Sequence, residues 1–276
     1  MIDTGENPIP QQPDTQHQTG LTEGIQLLMK DAKVRREPTS HVHKNDKGYG
    51  YIISEITEDS VSSEKTKVGL VVGNGAILSS LPNIPADIIV LTDYNPFIQE
   101  WTHFSSEALL RAETTDEYRQ SVYSEQNPLY KELQERGVRP EAGLEAEIAD
   151  LGEQHFLASE TRFRECKQAL QRKQLLDFAV DLTDRSTLQG FSDTLERNNA
   201  EITFANMTNV WEHAGNGLED SLPILPFSPQ AIMLSSSRTY SKDGQVQMMG
   251  VKRGIHGYID LAKPAYNFEK NHRHRY

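Results

Sequence analysis

KVGLVVGNGAILSSLPNIPADIIVLTDYNPFIQEW, residues 67 to 101, decides the fold, because it reads as a strand, a glycine turn, a short helix, a second strand and a terminal carboxylate. Val68 to Val72 is short, apolar and β-branched. It stops at Gly73-Asn74-Gly75, where backbone can approach a ligand that side chains would exclude. Ile88 to Leu91 gives a second buried strand, closed by Asp93 and followed by Tyr94 and Asn95. A carboxylate at that point can accept hydrogen bonds from the vicinal hydroxyls of a ribose, and Asp93 stands about 20 residues past the first glycine, as such a unit requires.

Outward from this stretch the chain alternates strands and helices. Towards the N-terminus, residues 1 to 20 are rich in Pro, Gln, Thr and Asp and are expected to be disordered, Leu21 to Arg36 reads as an amphipathic helix, and Gly48 to Ile56 alternates as a strand. Beyond Asp93 the signals turn helical. Asn95-Pro96 opens one helix, Thr114 with Glu117 makes a capping box for a second, residues 127 to 137 supply a third, and Pro140 opens a long one to about Leu176. Alternation then resumes, with strands at Phe178 to Leu182, Ile202 to Ala205 and Ala231 to Leu234, and a helix from Ser186 to Asn199. Two alternating strands around Lys242-Asp243-Gly244 suggest an antiparallel hairpin at the sheet edge.

The expected architecture is therefore α/β: a Rossmann-like, mostly parallel sheet with helices on both faces, a C-terminal antiparallel hairpin and a large helical insertion, about residues 96–176, after the second core strand. Residues 21–276 read as one such domain. Ligands in these sheets bind beyond the carboxyl ends of the strands. Those ends carry Gly73-Asn74-Gly75, Asp93-Tyr94-Asn95, Asp181 to Asp184, Asn206 to Asn209 and Ser235 to Ser237.

Composition narrows the function classes. A formal net charge of −12 disfavours broad capture of nucleic acid or of an anionic membrane, and favours a small-molecule or protein partner. No window approaches the roughly 18 uninterrupted apolar residues of a membrane span. The first residues show neither the basic nor the apolar region of a secretory leader, so a cytoplasmic protein is expected. The single cysteine, Cys166, permits no intramolecular disulfide and reads as a small core residue. The pairs His41/His43 and His272/His274 lack a third ligand nearby in sequence, so no metal site is expected.

The layout of strand ends resembles the Rossmann-like S-adenosylmethionine-dependent methyltransferase superfamily. That resemblance implies a methyl donor held with its amino-acid end at Gly73, Asn74 and Gly75, its ribose at Asp93 beside Tyr94, and its adenine near Asp181 or Asp184. It also implies that Asn206 faces the transferred methyl group, with His213 as a candidate base for an oxygen nucleophile. The sequence departs from the family pattern in three ways: no acid precedes the glycine turn, Ile77 replaces a third glycine, and Pro82 and Pro85 shorten the first helix. An NAD(P)-binding oxidoreductase is the rival enzyme, but it needs Gly or Ala where Leu78 stands. A catalytically inactive methyltransferase-like binding or regulatory protein is the alternative of another class. The helical insertion is expected to form a pocket wall, a lid or a homo-oligomer interface.

Overall fold

In a computed structural model of the chain, the two apolar runs on either side of Gly73 are neighbouring parallel strands, β1 (Thr66–Val72) and β2 (Ile88–Asp93). The structure describes residues 15–29, 36–39, 42–43, 48–74, 76–208, 210, 217–241 and 244–254. Strands β3 (Gln174–Ala179), β4 (Ala200–Asn206), β5 (Phe227–Ser241) and β6 (Gly244–Arg253) complete a six-stranded sheet of order β3-β2-β1-β4-β5-β6. The first five strands are parallel, and β6 runs antiparallel to β5. Residues 242–243, where a turn is expected, lie outside the described residues.

Strands buried on both faces explain why β1 and β2 read as continuous apolar runs. Val71, Ile89 and Leu91 enter one core with Trp101, Phe163 and Cys166; Val68, Leu70, Ile88 and Val90 enter the other with Leu21, Ile25, Phe191 and Leu195. Helix α1 (Thr15–Met29) covers the second face alongside α9 (Arg185–Arg197). It begins within the stretch expected to be disordered, because Leu21 and Ile25 are buried and Gly20 and Gly24 let it approach Asn198 and Thr194 closely.

Five helices fill the span between β2 and β3: α4 (Pro96–Arg111), α5 (Thr115–Val122), α6 (Pro128–Glu135), α7 (Pro140–Leu151) and α8 (Glu160–Arg172). Their starts follow local chemistry. The side chains of Asn95, Thr114, Asn127 and Ser159 each accept a backbone N–H of the following turn, and proline opens α4, α6 and α7. The single long helix expected from Pro140 is two helices. Gly152, at φ +53°, ends α7, and Ser159 caps α8. His155 and Phe156 stay buried across the break, so the apolar spacing alone does not reveal it.

Two further expectations are corrected. Residues 49–54 form a helix, α2 (Tyr49–Ser54), rather than a strand. Alternation would bury Tyr51, which is exposed, whereas Tyr49, Ile52, Ile53 and Ile56 are buried at helical spacing. Strand β3 begins four residues earlier than Phe178, with Gln174 opposite Ile88. Helix α2 packs so closely on the end of α7 that a Cβ at Gly50 would lie 2.9 Å from the Leu151 backbone. Gly50→Ala is therefore expected to cost about 1–3 kcal/mol in urea unfolding. A loss under about 0.5 kcal/mol would show that the two helices can separate freely.

Strand β1 lies between β2 and β4, so the sheet order reverses there. The crevice beyond the carboxyl ends of the central strands is where an open α/β sheet places its ligand.

Candidate functional site

At the end of β1 the chain turns through Gly73, at φ +67°, a conformation costly for other residues, and the Gly73 N–H donates to the Thr92 carbonyl at 3.0 Å. This bond ties the first turn to the end of β2. A Cβ at Gly73 would sit 3.7 Å from Asp93 Oδ2, in ordinary contact with that carboxylate, so the turn and the carboxylate face each other.

Asp93 is buried, with 8% of its surface exposed. Burial raises its pKa to about 6, against the opposing effect of backbone N–H groups at Asn95 and Tyr94. The Asn95 N–H donates to Oδ1 at 2.7 Å, and no cation or side-chain donor among the described residues reaches the carboxylate. Tyr94 is 68% exposed.

Two described pieces of chain before α2, residues 36–39 and 42–43, reach these two turns. Asn95 Oδ1 accepts from the Glu37 N–H at 3.0 Å, and Asn95 Nδ2 donates to the Glu37 carbonyl at 2.7 Å. Arg36 lies over the Phe97 ring at 5.0 Å and donates to both Glu100 and Glu132, which hold it above its usual pKa. Asn74 Nδ2 donates to the Val42 carbonyl at 2.6 Å. Asparagine amides at both turns thus hold backbone groups of Glu37 and Val42.

The other strand ends are occupied differently. Asp181 accepts the N–H and the hydroxyl of Thr183, both at 2.8 Å, closing a local turn. Asp184 caps α9 through the N–H groups of Ser186 and Thr187 and accepts the Thr187 hydroxyl, which lowers its pKa. Asn206 is fully buried: its Nδ2 donates to the Tyr49 hydroxyl at 2.8 Å, and its Oδ1 accepts from the Thr208 N–H. Its side chain is engaged in the interior beneath the strand end. Gly75, Asn209 and His213 lie outside the described residues. Cys166 is buried, which pushes its thiol up to about 12, as befits a core residue.

No protein-family model matches the chain, and no curated protein sequence matches it either. Among solved structures, an rRNA methyltransferase, aviRa from Streptomyces viridochromogenes, aligns over 89% of this chain and 94% of its own, at 12% identity and a TM-score of 0.36. The strand order and directions of the sheet, rather than that likeness, define the fold.

Packing also assembles a cluster that sequence reading missed. Glu147 of α7, 4% exposed, lies between two imidazoles: His43 Nδ1 is 3.4 Å from Oε2 and His155 Nε2 is 3.4 Å from Oε1. Burial alone raises a carboxyl pKa, but the bonds from His155 and His43 outweigh it and hold Glu147 well below its usual range. The Tyr123 hydroxyl lies 3.1 Å from His43 Nε2, with the two rings nearly parallel. No group of His, Cys, Asp and Glu among the described residues is arranged to hold a metal ion.

Proposed function

We propose that the protein is an S-adenosylmethionine-dependent methyltransferase acting on a small molecule or a protein side chain. The observation that carries this reading is the buried Asp93 carboxylate at the end of β2, facing a glycine turn that is tied to it by the Gly73 to Thr92 bond. A carboxylate that no described cation pairs with matches a vicinal diol, which supplies two donors and no charge. The residues present therefore fit the ribose of the cofactor. Gly73, Asn74 and Gly75 hold its amino-acid end, Tyr94 flanks the ribose, and Asp181 or Asp184 lies on the adenine side.

When bound, the cofactor supplies an activated methyl group on a sulfonium, so the protein's task is to align the acceptor and exclude water. His213 is the acceptor-side residue of this proposal, and Asn206, whose amide is taken by Tyr49 and Thr208, supports the strand end beneath it. The net charge of −12 supports a partner other than nucleic acid. A dinucleotide is disfavoured because α3 (Ile77–Ser80) carries buried Leu78 where that fingerprint needs a small residue. The helices from Pro96 to Arg172 are proposed as the pocket wall and as the surface for any homo-oligomer.

Titration calorimetry with S-adenosylmethionine and S-adenosylhomocysteine tests the reading. Both are expected to bind, and Asp93→Ala is expected to weaken both by at least about 100-fold, the loss of about 3 kcal/mol of hydrogen bonds to a charged acceptor. Absence of binding to either compound in the wild-type protein would overturn the proposal.

A further inference from the structure

The turn after β1 is held in a conformation that its own residues do not favour. Gly73 is at φ +67°, and Ala76, three residues on, is at φ +50° although it carries a Cβ. An alanine in this left-handed region is disfavoured, and it persists only where the surrounding contacts over-determine it. Two bonds inside the turn contribute: the Ile77 N–H donates to the Asn74 carbonyl at 3.0 Å, and the Ser80 hydroxyl donates to the Ala76 carbonyl at 2.8 Å. A third restraint comes from elsewhere in the chain. Asn74 Nδ2 donates to the Val42 carbonyl at 2.6 Å, so the amide nitrogen of Asn74 is spent on the protein itself.

Val42 is fully buried, and the adjacent His43 sits among the insertion helices. Its Nδ1 lies 3.4 Å from Glu147 Oε2 of α7, its Nε2 lies 3.1 Å from the Tyr123 hydroxyl at the end of α5, and its ring meets Trp101 of α4 edge-on at 6.2 Å. Gly143 completes the seat, since a Cβ there would come to 3.0 Å from the His43 ring. Asn74, His43, Tyr123 and Glu147 border one cavity of about 20 Å³. That volume holds a single water and no part of a methyl donor, so the cluster can act on a ligand only through Val42 and Asn74.

We propose that His43 is a positioning residue: seated against Glu147, it fixes Val42, which holds Asn74 and so sets the glycine turn for the amino-acid end of the methyl donor. The assignment rests on the methyl-donor reading. It gives the insertion a task besides walling an acceptor pocket, because three of its helices seat the histidine that braces the donor turn. The brace acts on one end of the donor. Asp93, the ribose carboxylate, belongs to the turn after β2, whose asparagine, Asn95, is tied to Glu37 instead. Loosening His43 therefore weakens ligands that carry the amino-acid end and spares those that lack it.

Calorimetry on the full-length protein compares S-adenosylhomocysteine with methylthioadenosine, which keeps the adenine and the ribose and lacks the amino-acid end. Gly143→Ala, which displaces His43 from a position outside the proposed donor site, is expected to weaken S-adenosylhomocysteine about tenfold and methylthioadenosine by less than about twofold. Asn74→Ala is expected to do the same. The double variant is expected to bind no more weakly than Asn74→Ala alone, since both changes break one chain of contacts. If Gly143→Ala does not fold, Tyr123→Phe, which removes only the hydroxyl beside His43, takes its place. If methylthioadenosine binds the wild type too weakly to measure, the double-variant comparison on S-adenosylhomocysteine decides alone. The positioning role is overturned if Gly143→Ala binds S-adenosylhomocysteine as the wild type does, if both ligands weaken together, or if the effects of the two substitutions add. A wild-type protein that binds neither compound overturns the methyl-donor reading itself and with it the role of His43.

Discussion

Asp93→Asn is expected to melt several degrees higher than the wild-type protein at about pH 8 while losing its affinity for S-adenosylmethionine. The sign follows from the direction of the pKa shift. Burial moves the Asp93 carboxyl from 3.8 to about 6 in the folded chain, so between those values the folded state binds more protons than the unfolded state. Stability contributed by this group therefore falls as pH rises through the window from about 4 to about 6, and stays low above it. The ionised form costs up to about 3 kcal/mol. An asparagine keeps an acceptor for the Asn95 N–H without a charge to bury, so about 1–3 kcal/mol is regained at neutral pH and almost none at about pH 4. Thermal unfolding at both pH values, followed by circular dichroism, checks this. Equal melting temperatures at neutral pH would mean that solvent reaches the carboxylate. A carboxylate kept where it opposes stability is explained by a ligand that needs its charge, and binding is accordingly expected to weaken as pH drops below about 6.

Much of this site was legible because it is local. Asp93, Asn95 and Pro96 belong to one strand end and one helix cap, and Gly73 ends the adjacent strand; composition and spacing determine such features within a few residues. The parallel sheet was legible too, from strands that read as unbroken apolar runs. What misled was the short run around Tyr49, where alternation and helical spacing share several positions and only packing against α7 decides between them. Asp184 illustrates a different ambiguity. A carboxylate before a helix signals a cap and a ligand contact equally well, and here its oxygens are taken by Ser186 and Thr187.

The Glu147 cluster had no sequence signal of that kind. His43 precedes the first strand, Tyr123 ends α5 and His155 sits in the connection after α7, so no spacing rule relates them. The glutamate itself reads as one more acid on an acidic helix. Gly143, one turn before Glu147, is the nearest hint: a Cβ there would approach the His43 ring to 3.0 Å. Its small size lets the histidine reach the helix.

Because that cluster is buried, breaking it is expected to have the largest effect on stability of any single polar substitution considered. Glu147→Gln retains the shape but presents an amide N–H₂ to one of two imidazole N–H donors, leaving that donor unsatisfied in the core. Removing one member of a buried charged network costs about 3–5 kcal/mol, which corresponds to a fall in melting temperature of about 10 °C for a chain of this size. The pH dependence is opposite to that of Asp93. Glu147 is held well below its unfolded value of 4.5, so its stabilisation is fully present above that value and is lost as pH falls through the acidic range. The wild-type protein is then squeezed from both sides: protonation of Glu147 weakens it in acid, and ionisation of Asp93 weakens it towards neutrality. Asp93→Asn removes the second limb and Glu147→Gln the first. Melting temperatures of the two variants are therefore expected to lie far apart at neutral pH and to converge in acid, with Glu147→Gln nearest to wild type at the acid end. If Glu147→Gln unfolds within about 1 kcal/mol of wild type at neutral pH, the carboxylate is solvated.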